Sequence, residues 1–210
     1  MDLDLFGKPP CRLGKVVKSN SHCDYVVQVD DAQDVCSPPS PEDCGFGQFV
    51  SFDSDRHWAV GLIYNSQLFN PLFLNTGPRL SSEPDPLFTP DLVQETRTLL
   101  GVVLVGAMAS TESGRTFGKQ GIPPVVVPAN TSVYKMSPEQ VHGFHCNQDG
   151  QTQFSYYSHL LRSGGMFAAQ LAQQVLAELV ESGLFTGADQ KALMVLGKEL
   201  SWKNTLGAIR

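Results

Sequence analysis

Apolar and polar positions alternate through the first two thirds of the chain. Val27 and Val29 flank Gln28, and this period of two is typical of a strand with one buried face. The segment 57–67 is apolar at nearly every position, which predicts a strand that is covered on both faces. Further extended segments, bounded by glycine and proline, lie at 14–20, 22–30, 47–53 and 96–110, with two short pieces at 125–128 and 132–136.

These segments predict a small antiparallel β-barrel of about six strands, because closing a sheet on itself removes its exposed edges. Two proline-rich stretches, 30–44 and 70–90, are predicted to be exposed loops, since proline has no place in a central strand. The alternation and strand position assign to the barrel core Val16, Val27, Val29, Phe49, Val60, Leu62, Leu104 and Val133.

The periodicity changes near residue 150, after which the chain lacks proline and is rich in alanine, leucine and glutamine. A helix is predicted from about 163–165 to Glu181, with an apolar residue at every fourth position. A second helix opens at Thr186 and carries leucines on one face. Before the change, Ser137 begins a short helix. The pattern therefore divides the chain into a barrel domain at 1–150 and a helical segment at 151–210.

The barrel segments resemble a known family. The strings GKVVKSNSHCDYVVQV, GFGQFVSF and WAVGLIYN, followed by TLLGVVLVG and GIPPVVVPANTSVYKMSPEQV, are similar to the HerA–ATP synthase (HAS) barrel over roughly Arg12 to Phe144. The resemblance implies a six-stranded barrel that helps a hexameric ATPase to assemble or to meet its partners. The chain departs from that family in one respect, because the ~65 residues after the barrel are too few for an ATPase motor.

Gly114–Gln120 is the nearest approach to a phosphate-binding P-loop. That motif requires Gly-x4-Gly-Lys-Ser/Thr, so that backbone N–H groups surround phosphate and the hydroxyl binds Mg²⁺. Here the spacing is one residue short and Gln120 replaces the hydroxyl residue. We expect a flexible loop with two exposed cations, Arg115 and Lys119, which are the candidates for contact with an anion. No cofactor and no catalytic residue is predicted.

A metal site is considered at His142, His145 and Cys146, because two histidines three residues apart can share a helix face. No CxxC or HExxH motif accompanies them, so hydrogen-bonded structural histidines are the favoured interpretation and no metal is predicted. Cys36 and Cys44 flank a proline-rich loop and can pair under oxidation. The odd total of five cysteines instead favours reduced thiols.

Composition and the apolar segments limit where the protein is expected in the cell and which classes of partner it is expected to bind. A hydrophobic fraction of 41% supports a folded core, and a net charge of −6 argues against a broad nucleic-acid interface. The longest apolar run, 99–109, is shorter than the ~20 residues of a membrane-spanning helix. The N-terminus lacks the basic start and apolar run of a secretory signal. We expect a cytoplasmic protein.

Two functions fit these observations. The first is a non-enzymatic protein-interaction or assembly module, in which a HAS-like barrel binds a protein partner or self-assembles. The resemblance implies a ring ATPase, an ATP-synthase-like assembly or a nuclease–motor complex as the partner. The alternative is an accessory factor or diverged enzyme in nucleic-acid processing. Apolar side chains of the C-terminal helices are candidate partner contacts, although packing within the chain also explains them: Phe167, Leu171, Val175, Leu179, Trp202, Leu206 and Ile209.

Overall fold

The computed structural model describes residues 11–54, 57–70, 96–111, 114–163 and 167–207. Its strands are β1 (Arg12–Ser21), β2 (Asp24–Val29), β3 (Phe49–Ser54), β4 (His57–Phe69), β5 (Arg97–Ser110), β6 (Thr116–Gln120) and β7 (Ser132–Lys135). Its α-helices are α1 (Pro138–Phe144), α2 (Tyr156–Ser163), α3 (Ala168–Glu181) and α4 (Gly187–Gly207). The proline-rich segment after β2 contains a short 3-10 helix at Pro41–Cys44.

Six of the strands close into an antiparallel barrel. The order β2-β1-β7-β3-β4-β5 is closed by the pairing of β2 with β5, in which Val26 lies opposite Gly101. The additional strand, β6, pairs with the far end of β5 outside this circuit. The predicted fold class, a six-stranded antiparallel barrel followed by helices, is confirmed.

Helix α1 begins at a local capping signal. The Ser137 hydroxyl accepts a hydrogen bond from the backbone N–H of Gln140, whose side chain accepts one from the N–H of Ser137. The helix predicted from about 163–165 to Glu181 corresponds to α3, which begins at Ala168 and ends at Glu181, and an additional helix, α2, precedes it. The eight residues of α2 offer too short an apolar pattern to predict a helix from sequence.

Two other local predictions were wrong. Residues 125–128 form no strand and instead run as a loop, in which Val127 is buried and its neighbours are exposed. The segment 116–120, expected to be a flexible loop, forms β6 and pairs with β5. The second proline-rich stretch lies almost entirely outside the described residues.

The barrel wall separates two hydrophobic clusters. Inside the barrel lie Val16, Val27, Leu104 and Val133, with Val29 partly buried against them. Outside it, beneath the helices, a second cluster contains Phe49, Val60 and Leu62. Successive side chains of β3 and β4 point to opposite faces, and both faces are covered. The predicted core residues are thus all at least partly buried, but they belong to two cores.

The helices form the outer wall of the second cluster. Phe144 of α1, Leu160 of α2, Leu171 of α3 and Leu193 of α4 are buried together with the barrel residue Val105. Residues on both sides of position 150 therefore share one hydrophobic cluster. The barrel positions α3 and α4 so that each has one face inward and one outward.

Candidate partner-docking surface

Helix α3 turns its apolar stripe inward. Leu171, Val175 and Leu179 are buried in the cluster between the helices and the barrel. These three candidate partner contacts pack within the chain, because the outer surface of the barrel offers the apolar area that the stripe requires. Phe167, which precedes the helix, is different: its side chain is 47% exposed.

Helix α4 is apolar on two opposite faces. Its inner face buries Leu193 and Leu200. On its outer side Val195 is 64% exposed and Trp202 is 68% exposed. A surface helix ordinarily pairs one apolar face with one polar face, so the fold itself does not explain the outer apolar residues.

The outer residues of α4 follow a regular spacing. Ala188, Val195 and Trp202 are seven residues apart, and Lys191 and Lys198 each lie three residues beyond one of them. All five are exposed, and this spacing brings them to one side of the helix. We refer to these five residues as the outer stripe. Met194 is exposed at its border.

The prediction from sequence reached only one residue of this stripe. It selected Trp202 and continued to Leu206 and Ile209, but the side chain of Leu206 and all of Ile209 lie outside the described residues. Val195, Lys191 and Lys198 were missed. The spacing of seven from Ala188 to Trp202 was the available signal, but leucines on the inner face dominate the same segment.

A cleft of about 210 Å³ opens between the barrel and the start of α3. Phe167 lines it together with Phe46, which is also exposed. Tyr64 also lines the cleft. Its hydroxyl donates a 2.8 Å hydrogen bond to Asp24, and burial together with this contact raises the pKa of Tyr64 to about 12. The remaining lining residues are Cys44, Ile63, Asn65 and Ser66.

A second exposed apolar surface lies on the loop after β6. Ile122, Val125 and Val126 are exposed. The loop is held at both ends, because His22 Nε2 donates to the Pro123 carbonyl at 2.7 Å and the Val127 N–H donates to the Tyr25 hydroxyl at 3.1 Å. Its apolar side chains are therefore presented on a fixed backbone.

The segment that resembled a P-loop has a structural role. The backbone of α1 crosses β6 so closely that a Cβ on Gly118 would collide with the Phe144 carbonyl. Arg115 donates to the Gln148 carbonyl, while Lys119 is exposed. Lys119 thus lies on an extended strand and Arg115 directly before it, and an extended strand does not surround a phosphate as a glycine-rich turn does.

Gln120 organises the chain that follows α1. Its side-chain nitrogen donates to the carbonyls of Phe144 (3.2 Å) and Gln153 (3.0 Å). Its side-chain oxygen accepts from the N–H of Ser155 at 2.7 Å. The residue that disqualified the P-loop therefore joins β6 to the start of α2.

The histidines considered for a metal site have other roles. His145 is fully buried, with Nδ1 2.7 Å from the Val141 carbonyl and Nε2 3.0 Å from the Tyr156 hydroxyl. His142 stacks on Phe185 with ring centres 5.4 Å apart. Within the described ranges no group of three or more histidine, cysteine or acidic residues is placed to hold a metal ion.

The cysteines carry free thiols, including Cys36 and Cys44, the pair considered for a disulfide. Cys36 is exposed, whereas Cys44 packs against the barrel interior. Burial, with smaller contributions from Asp43 and Cys11, raises the pKa of Cys44 to about 11. A thiol at such a pKa is a poor nucleophile at neutral pH.

The structure is a closed antiparallel barrel with α-helices packed against its outer surface. The chain belongs to the family described as "Domain of unknown function (DUF8166)", whose model matches residues 7–210. The match includes both the barrel and the helices. No curated protein matches the chain significantly. Among the helices described, none is both long and apolar enough to cross a bilayer.

Proposed function

We propose that this chain is a non-enzymatic interaction or assembly module of the cytoplasm, which docks a protein partner through α4. The observation that carries the proposal is the exposure of Val195 and Trp202 on a helix whose other face is already buried. Large apolar side chains that remain exposed along one helix face are typical of interaction sites.

The energies support the proposal. Covering a valine or a tryptophan side chain contributes roughly 1.5–3 kcal/mol, from ~25 cal/mol per Å² of apolar surface. Tryptophan is among the residues that most often dominate the binding energy of an interface. Val195 and Trp202 lie about 10 Å apart at 1.5 Å of rise per residue, which a single partner element spans.

The type of partner follows from the resemblance to the HAS barrel. This resemblance favours a ring ATPase, an ATP-synthase-like assembly or a nuclease–motor complex as the partner. The barrel would help such a partner to assemble. In this proposal the barrel and α3 supply the rigid support, and α4 supplies the contact.

Truncation after Ser201, which removes Trp202 and keeps the barrel and the inner face of α4, tests the proposal. The truncated chain keeps Leu193 and Leu200, so we expect a folded protein with a far-UV spectrum close to that of the intact chain. It should lose the partner recovered by the intact chain from native lysate, or lose its oligomer on sizing with light scattering. Trp202→Ala should reproduce the loss.

Val126→Ala is the matched control, because Val126 is another exposed apolar residue on a different element. It should leave partner recovery and size unchanged. If truncation lowers the melting temperature by many degrees without changing assembly or partner recovery, the end of α4 is a structural part of the core and the proposal fails.

A further inference from the structure

The outer stripe of α4 combines apolar and cationic residues in one line. Val195 and Trp202 are separated by seven residues, and so are Lys191 and Lys198, which are both exposed. A repeat of seven is the spacing at which one helix presents a continuous seam to another. The lysines lie within this seam, between the apolar residues.

We propose that the outer stripe docks an acidic amphipathic helix of a protein partner. The proposal rests on the proposed function and specifies the chemistry of its partner: apolar residues to cover Val195 and Trp202, and carboxylates to face Lys191 and Lys198.

Small residues favour a helix as the occupant. Ala188 and Ala192 are exposed beside the larger residues. Their small side chains leave room for the backbone of a second helix, whose axis would lie roughly 8–10 Å from that of α4 as in packed helices. A helix that inserts into a lipid surface instead carries large apolar side chains along its whole face. With alanine at two of its exposed apolar positions, this face offers little apolar area to insert into lipid.

Charge favours a different chain over a second copy of this one. Two copies of α4 joined along the outer stripe would bring Lys191 and Lys198 of each copy into one seam, where like charges repel. The acidic neighbour Glu199 borders the stripe, and its charge helps to raise the pKa of Tyr157 on α2 after the larger effect of burial. Glu199 lies seven residues beyond Ala192 and is exposed, so it forms the border of the outer stripe on that side and leaves the two lysines as the charged members of the stripe.

Two designed peptides of about three heptads provide the probes. They share leucines at the seam and alanines beside it, and differ in carrying glutamates or lysines at the positions that face the stripe. Each peptide carries a fluorescent label, and its binding to the full chain is followed by anisotropy at low salt, where charge discrimination is strongest.

The intact chain should bind the acidic peptide at least about fivefold more tightly than the basic one, since two exposed ion pairs are replaced by two repulsions. The double variant Lys191→Glu, Lys198→Glu should reverse this preference. Trp202→Ala should weaken binding of the acidic peptide at least about tenfold. Val126→Ala should change neither affinity.

Several results would overturn the inference. Equal affinity for the two peptides, no binding of either, or a preference that the double variant does not reverse would each do so. Tighter binding to phosphatidylcholine–phosphatidylserine vesicles than to the acidic peptide would identify a lipid surface as the occupant. A dimer that Trp202→Ala dissociates would identify a second copy. Such a dimer would overturn the acidic-helix inference but support the proposed function, because assembly would still depend on α4. The proposed function itself fails if Trp202→Ala changes neither assembly nor partner recovery.

Discussion

The imidazole of His145 lies 3.0 Å from the hydroxyl of Tyr156, and both side chains are buried. The other ring nitrogen, Nδ1, lies 2.7 Å from the Val141 carbonyl, which only accepts hydrogen bonds. Nδ1 therefore carries the proton, and Nε2 accepts from Tyr156. Burial lowers the pKa of His145 to about 4, with a smaller effect of the same sign from His142. The fold thus holds a neutral imidazole.

This pair predicts a loss of stability in mild acid. An unfolded histidine has a pKa near ~6.5, so the unfolded chain binds a proton that the folded chain rejects. The free energy of unfolding should fall as the pH decreases from about 6.5 to about 4, by up to about 3 kcal/mol at roughly 1.4 kcal/mol per pKa unit. Urea unfolding at a series of pH values measures the change.

His145→Gln is the control for this titration, because it keeps a hydrogen-bonding side chain without a proton that titrates in this range. Its stability should depend much less on pH in the same window. The pKa of Asp43 is lowered to about 2, chiefly by its hydrogen bond from Lys135. Its contribution to the free energy of unfolding is therefore lost only below the pKa of an unfolded aspartate, ~4, which lies outside the window of His145. An unchanged slope in His145→Gln would contradict the assignment.

Gly118→Ala should destabilise the fold by at least about 2 kcal/mol, since a new Cβ would collide with the backbone of Phe144 and force β6 and α1 apart. Gly197→Ala in α4 is the matched control, because nothing lies near the added methyl group. There we expect a gain of roughly 0.5–1 kcal/mol from helix propensity. Urea midpoints of the two variants test the contrast, and equal effects would refute it.

Gln120→Thr supplies the hydroxyl that the P-loop pattern lacks. Because the glutamine holds Phe144, Gln153 and Ser155, we expect the variant to lose about 1–3 kcal/mol of stability and to gain no ATPase activity. The intact chain should also hydrolyse no ATP above a buffer blank. Hydrolysis by the intact chain that Lys119→Ala abolishes, while the fold survives, would overturn the strand interpretation.

Phe144→Ala and Trp202→Ala should affect stability very differently. Phe144 is fully buried, so its truncation leaves a cavity and should cost about 3–5 kcal/mol. Trp202 is mostly exposed, and its truncation should change stability by less than about 1 kcal/mol. Thermal or urea unfolding distinguishes them. A large loss in Trp202→Ala would mean that the outer stripe supports the fold.

Local patterns in the sequence were sufficient to predict the strands of the barrel and the start of α1. Val27 and Val29 alternate with Gln28 in β2, and the capping residues at Ser137 lie three positions apart, so the interactions that define these elements are close in the chain. The absence of a P-loop at 114–120 could also be recognised from local sequence, because that motif is defined by the spacing and types of neighbouring residues.

Other features depend on distant residues. Hydropathy indicated that Leu171 and Val175 must be buried, but the outer surface of the barrel, more than 60 residues away in sequence at Val105, decided what buries them. The close approach of Phe144 to Gly118 likewise makes β6 a strand under a crossing helix, and no pattern within 114–120 contains that information.

The sequence by itself determined the fold class, the positions of most elements and which residues are apolar, because these follow from periods of two and of about four. The tertiary structure alone decided which apolar residues stay exposed. Leu193 and Val195 have similar hydropathy and lie two positions apart on α4, yet one is buried and the other faces outward. A side chain's affinity for an apolar environment is intrinsic, but that environment is built by the rest of the chain.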